Sequence, residues 1–200
     1  MNTDLDSRIK RLYSALNVMV ENDIAKAVVI TEAPGRIHFS FDGGMSDADL
    51  QNAAMTLVGL VAHLPEHLKR WLRENNISVV DVDEFVKGCD EFKILADLWD
   101  RDKHGGASRD GGFSKRSPRI ASLSRGLQSR ADAQFTMITL SYGPNGSGLR
   151  TVEGSPQVVI DGNVIDGSGA KLGDLAKILD SAFSRFESLF NRYGIPSADA

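Results

Sequence analysis

A chain of 200 residues that is 42% hydrophobic and 25% charged, with a net charge of −4, is long enough for one sizeable core and too apolar for a disordered polyelectrolyte. A single cysteine excludes an internal disulfide, and the longest apolar stretch, near Ala53 to Ala62, is far short of the about 20 residues a membrane-spanning helix needs. The opening Met1-Asn2-Thr3-Asp4-Leu5-Asp6 is acidic and has no apolar leader, so the expectation is a cytoplasmic protein with no membrane contact.

From the N-terminus, Leu5, Ile9, Leu12, Leu16 and Met19 fall on one face of a first helix. Between Val28 and Phe41, β-branched and aromatic residues flank Ala33-Pro34-Gly35-Arg36, the pattern of a short hairpin at about 27–42; the alternative is an uninterrupted helix through Ile30. Ser46 with Asp49 three residues on resembles a capping box, and Ala53, Leu57, Leu60 and Val61 carry a second helix to about Leu64. Pro65 suits the first turn of a third helix, Pro65 to Asn75, with a bend near His63. A fourth helix is expected from about Asp83, with Phe85, Cys89, Phe92, Leu95 and Trp99 as its stripe and Cys89 packing as a small hydrophobe.

After His104 the run Gly105-Gly106-Ala107-Ser108-Arg109-Asp110-Gly111-Gly112 is too rich in glycine and polar residues to bury surface and is expected to be a flexible loop. Gln134 to Tyr142 and Gln157 to Ile165 have strand composition, with Asp161-Gly162-Asn163 as a turn inside the second and Gly143 to Gly148 as a turn after the first. The closing helix carries Leu172, Leu175, Leu179, Ala182, Phe186, Leu189 and Tyr193 at three-four spacing, with Ser168 as its cap. The fold expected is mainly α: a four- to five-helix bundle over 1–104 and 168–200, with an N-terminal β hairpin, and a basic loop and small antiparallel β insertion over 105–167 before the last helix.

Charge is unevenly distributed. Between Arg101 and Arg130 eight basic residues face two acids, a local balance of +6 that leaves −10 for the rest. Lys103, Arg109, Lys115, Arg116 and Arg119 are candidates for binding RNA or another polyanion; the alternative is a solvated loop.

The densest set of titratable groups is Asp97-Leu98-Trp99-Asp100-Arg101-Asp102-Lys103-His104. On a helix Asp97, Arg101 and His104 share a face, and Asp100 lies one turn before His104. In a catalytic reading His104 is the general acid or base, oriented by Asp100 or Asp97, with Arg101 and Lys103 neutralising a phosphate. In a structural reading Lys103 and His104 complement the helix end and Gly105 is its left-handed cap. The string resembles a D-L-x-N-x-x-K-H signature of uncharacterised bacterial helical proteins that look like distant relatives of the HEPN superfamily. That resemblance covers the helical part only. It implies a helical bundle that dimerises and, in active members, metal-independent RNA cleavage by an arginine, a polar residue and a histidine. Here Arg101 and His104 are separated by two residues, a shorter gap than in that family, and Asp100 stands at the asparagine position.

Other motifs carry less. His63 and His67 are four apart, but Pro65 lies between them and no third ligand follows at a recognisable spacing, so no metal is expected. The glycine-rich segments lack the Gly-Lys-Ser/Thr ending of a phosphate loop, Asp161 to Gly167 lacks the glutamate of a calcium loop, and no cofactor is expected. The function expected is a non-catalytic interaction module that forms a homodimer; the alternative is a metal-independent ribonuclease or toxin-like defence effector using Arg101 and His104.

Overall fold

The computed structural model describes residues 5, 7–11, 20–21, 29–33, 36–40, 46–106, 110–129, 137–141, 148–153 and 156–195. The architecture is mainly α, with a β hairpin near the front and an antiparallel β insertion before the last helix. In chain order the strands are β1 (Val20–Glu21), β2 (Val29–Ala33) and β3 (Arg36–Ser40), followed by helices α1 (Asp47–Ala62), α2 (Leu64–Glu74), α3 (Val80–Gly88) and α4 (Asp90–His104). The insertion contributes β4 (Arg119–Ser129), β5 (Met137–Ser141), β6 (Gly148–Glu153), β7 (Pro156–Ile165) and β8 (Lys171–Asp174), and α5 (Leu175–Arg192) closes the bundle. Among the described residues no helix is long and apolar enough to cross a membrane.

The N-terminal helix is described at residues 5 and 7–11, where Leu5 and Ile9 are buried as the stripe requires; Leu12, Leu16 and Met19 lie outside the described residues. Val20 and Glu21 pair with β7 as a strand. The expected hairpin forms, with Val29 opposite Ser40 and Ala33 opposite Arg36. Its Pro34-Gly35 centre lies outside the described residues.

The capping box at α1 is present: Ser46 Oγ accepts from Asp49 N–H at 3.2 Å, and Asp49 Oδ2 accepts from Ser46 N–H at 3.3 Å. Reciprocal satisfaction of two otherwise unpaired donors starts the helix there. His63 ends α1 and precedes α2, so the bend falls where Pro65 placed it.

The expected single helix from Asp83 is two. It begins earlier, at Val80, and breaks at Cys89, whose φ of −104° and ψ of 105° are extended. Gly88 is a weak helix former, and Asp90 with Glu91 favours a fresh first turn. The break also turns Cys89 into the interior, where it is 1% exposed.

The closing helix starts at Leu175 rather than near Leu172. Lys171–Asp174 is instead a strand paired with the end of β7, because the turn before it is held by Asp166: Ser168 N–H, Ser168 Oγ and Ala170 N–H donate to Asp166 Oδ1 at 2.8, 2.6 and 2.9 Å. Ser168 therefore caps that turn and not the helix.

The core joins α1, α2, α4 and α5 through Leu57, Val58, Leu68, Leu95, Phe186 and Phe190, all at most 2% exposed. Phe186 meets Phe85 and Phe190 edge to face, with centroids 5.3 and 5.0 Å apart. The stripe of α5 is covered within the chain, from Leu175 to Phe190.

Of the expected loop from Gly105 to Gly112, residues 107–109 lie outside the described residues. Residues 110–118 form turns and β4 starts at Arg119, pairing antiparallel with β7 from Arg119 opposite Ile165 to Ser129 opposite Pro156. Two-residue alternation fails in β4 because the register shifts between Ile120 and Ser122, so the inward Ile120 and Leu123 are three apart. β7 runs straight through Asp161-Gly162-Asn163, where a turn was expected. Gly162 is there for close approach: a Cβ would come within 2.7 Å of Ser122 O and 2.8 Å of Leu123 Cδ2. β5 falls within the expected Gln134 to Tyr142 strand and pairs with β6, a strand that begins at Gly148 and extends beyond the expected turn.

Candidate functional site: the end of α4 and the cleft beside it

Helix α4 carries the charged string on its last turns, and the structure divides that string between the interior and the solvent. Asp97 is the buried carboxylate of the described residues, 8% exposed. Its Oδ1 accepts from Phe113 N–H at 2.6 Å, and its Oδ2 accepts from Ser114 N–H at 2.7 Å and from the Ser114 hydroxyl. A buried carboxylate is costly unless its lone pairs are met, and backbone N–H groups aimed at it meet them. Gly112 makes room for this. It has φ +75°, and a Cβ there would sit 2.6 Å from Asp97 Cγ.

The segment around the carboxylate is tightly wound. Gly111 has φ +85°, and Lys115 and Ser117 also take positive φ, +61° and +48°, a conformation that costs L-residues on the order of 1 kcal/mol each. Ser117 N–H donates to Gly111 O at 3.0 Å, and Gly167 N–H donates to Arg116 O at 2.8 Å, which ties the turn to the β7–β8 connection. Phe113 is left 46% exposed at its tip.

Beyond Asp97 the helix opens to water. Arg101 is half-buried, whereas Asp100, Lys103 and His104 are exposed. The helix ends on Gly105 at φ +68°, whose N–H donates to Arg101 O, with Gly106 N–H on the same carbonyl at 3.2 Å. This is the left-handed cap expected of Gly105. The structure does not bring Asp97 or Asp100 into a hydrogen bond with His104: the oxygens of Asp97 are occupied by residues 113 and 114, and no side-chain hydrogen bond or ion pair of His104 occurs among the described residues.

Of the basic candidates, Arg109 lies outside the described residues. Lys103 and Arg119 are exposed. Lys115 pairs with Asp110 at 2.7 Å, and Arg116 pairs with Asp90 at 3.4 Å. Hydrogen bonding to Lys115 holds the Asp110 carboxyl below its ordinary value, and Lys93, with Arg116 more distantly, does the same for Asp90. Both pairs are solvent-exposed and weak, so the cations stay accessible to a stronger anion.

A second feature was not recognised in the sequence as a site. A cleft of about 470 Å³ opens between the N-terminal helix, α1, α2 and α4, bordered by Arg8, Asn52, His63, His67, Trp99 and Asp102. The two histidines, set aside as a metal pair, lie at the α1–α2 bend (His63) and one turn into α2 (His67), and both line the same cleft. Among the described residues no group of three histidine, cysteine or carboxylate side chains is placed to hold a metal ion. Trp99 lies directly over Gly59 of α1, where a Cβ would come within 2.7 Å of the indole Cε3, and the His63 ring meets the indole edge to face at 5.4 Å and 82°. The signal in the sequence was a glycine inside an otherwise regular helix, which marks a close approach by another group.

Compared with protein-family models, with curated proteins and with solved structures, the chain matches none.

Proposed function

We propose that the chain is a non-catalytic interaction module whose binding element is the turn 110–117, and that its partner is RNA or a similar polyanion. The observation that supports this reading is the engagement of Asp97 by Phe113 and Ser114. The most buried charge of the string is used to hold a loop in shape. That loop presents an exposed aromatic ring, Phe113, flanked by exposed Lys115 and Arg116, with Arg119 following at the start of β4. An aromatic face for a base and cations for phosphates is the usual chemistry of single-stranded nucleic-acid binding.

A homodimer remains part of the proposal on a narrower footing. The α5 stripe that suggested it is covered within the chain, so apart from Phe113 the exposed large hydrophobics among the described residues are Ile77 and Val80, 38% and 54% exposed near the α2–α3 turn. Light scattering of the intact chain and of an Ile77→Asp, Val80→Asp variant measures this directly.

The binding reading is tested with labelled single-stranded RNA at low and moderate salt. We expect salt-sensitive binding that weakens by about tenfold or more in a Lys115→Ala, Arg116→Ala, Arg119→Ala variant and in Phe113→Ala. Absence of binding at low salt overturns it. Cleavage of the RNA in chelator that disappears in His104→Ala establishes the ribonuclease alternative through Arg101 and His104.

A further inference from the structure

We propose that the cleft between the N-terminal helix, α1, α2 and α4 binds a small planar aromatic anion, one ring or two fused rings bearing a single carboxylate or phosphate group. The site is separate from the Phe113 turn, none of whose residues borders it.

Size comes first. A volume of about 470 Å³ falls within the range of sites that take small organic molecules, and it is too small for a folded chain segment of any length. The floor is apolar, built from buried Met55, Gly59 and Leu64, with the half-buried indole of Trp99 along it. A flat ring laid against an indole gains both buried area and favourable aromatic geometry.

Charge defines the rest of the ligand. Arg8, His63 and His67 border the cleft from three helical segments, and the planar guanidinium fork suits a carboxylate or phosphate. Asp102, three residues after Trp99 on α4, is the acidic group at the rim. One anionic group facing Arg8 is favoured, and a second anionic group near Asp102 is repelled.

Gly59 is what keeps the cleft open. With no Cβ beneath it, the Trp99 ring lies against the backbone of α1 while His63 holds its edge. A methyl group at position 59 would press on Cε3 from 2.7 Å and on Cη2 from 3.0 Å. Both atoms belong to a rigid ring, so the indole must swing off the helix and into the space the ligand needs.

The test is an NMR titration of the full chain that follows the two tryptophan indole N–H resonances, assigned with a Trp71→Phe variant. The probes are benzoate, 1-naphthoate and phenyl phosphate. Benzyl alcohol supplies the ring alone, and acetate and inorganic phosphate supply the anion alone. We expect a saturable shift of the Trp99 resonance with the aromatic anions, at least about tenfold weaker with either half of the ligand, and no shift of Trp71. The probe that saturates first identifies carboxylate or phosphate as the head group. Gly59→Ala, and an Arg8→Gln, His67→Gln variant that leaves the floor intact, are each expected to weaken binding by about tenfold or more. Benzyl alcohol binding as tightly as benzoate, unchanged affinity in the Arg8→Gln, His67→Gln variant, or no saturable shift with any aromatic anion overturns the proposal. Loss of RNA binding in the Phe113→Ala chain leaves these titrations unaffected, so the two readings fail separately.

Discussion

The carboxylate of Asp97 meets the backbone N–H of Phe113, sixteen positions later in the chain, at 2.6 Å, and this bond pins the turn that follows the glycine pair Gly111-Gly112. Three donors converge on the one side chain, so its removal leaves three polar groups unmet at once.

Asp97→Ala is therefore expected to destabilise the fold by about 2–4 kcal/mol, the range for removing a buried, hydrogen-bonded charge. Asp97→Asn keeps the shape but turns an amide N–H₂ toward one of the donors, and it is expected to cost less than alanine but more than about 1 kcal/mol. Denaturant unfolding measures both. Hydrogen exchange at the Phe113 and Ser114 amides distinguishes local opening from global loss, because Asp97→Asn should speed exchange there before it does so in α1.

Two glycines of similar backbone conformation give a controlled comparison. Gly112 and Gly169 both have positive φ, +75° and +94°, so alanine is strained at either. Only Gly112 has no room: its Cβ would meet the Asp97 carboxylate, with Cγ at 2.6 Å, whereas nothing lies within 4 Å at Gly169. We expect Gly169→Ala to cost about 1 kcal/mol, the backbone component alone. Gly112→Ala should cost clearly more, about 2–4 kcal/mol, with loss of the Asp97 hydrogen bonds. Equal melting temperatures for the two variants would exclude this account.

The helices were legible because their apolar residues recur at three-four spacing and their starts carry readable signals, Ser46 with Asp49 above all. The strands of the insertion were less so, for identifiable reasons. β4 hides its apolar pair behind a register shift, β8 is too short for alternation, and Gly162 in β7 has the look of a turn residue although it serves close packing. The α3–α4 break was masked because the stripe Phe85, Cys89, Phe92 continues across it. At the site, spacing along α4 placed Asp97, Arg101 and His104 on one face, but it carried no sign that residues sixteen and seventeen positions later would take the Asp97 oxygens. Long-range partners of that kind have no local signature.

Acid should loosen the β7–β8 turn before the helices. The Ser168 hydroxyl, then the Ala170 and Ser168 N–H groups, hold the Asp166 carboxyl below its ordinary value. A depressed carboxyl contributes stability that is fully present above its unfolded pKa of about 3.9 and is lost as pH falls through the folded value, so the window lies below about pH 4. Carbon-detected titration of Asp166 reads this out. Ser168→Ala removes the largest cause and is expected to move that titration upward, toward an ordinary aspartate, with faster exchange of the Ala170 amide at acid pH.

Cys89 sits at the break between α3 and α4, where an extended residue turns a thiol inward beside Phe92 and the Glu91 carboxylate. Burial pushes the thiol above its ordinary value, and the nearby Glu91 charge acts in the same direction, so the thiolate is disfavoured in the folded chain. Two barriers then protect it, since it is 1% exposed and, when reached, mostly protonated. Alkylation of the native chain at pH 8 is expected to be slower than that of a small thiol by at least about a hundredfold, and to rise to the free rate in denaturant. The pH dependence separates the two barriers. A rate limited by opening of the fold follows the unfolding equilibrium and is cut by ligands or mutations that stabilise the core, whereas a rate limited by ionisation keeps climbing above pH 9. Cys89→Ala removes only the sulfur and should cost about 1 kcal/mol. Cys89→Ser should cost more, because a hydroxyl at 1% exposure loses more hydration on burial than a thiol does.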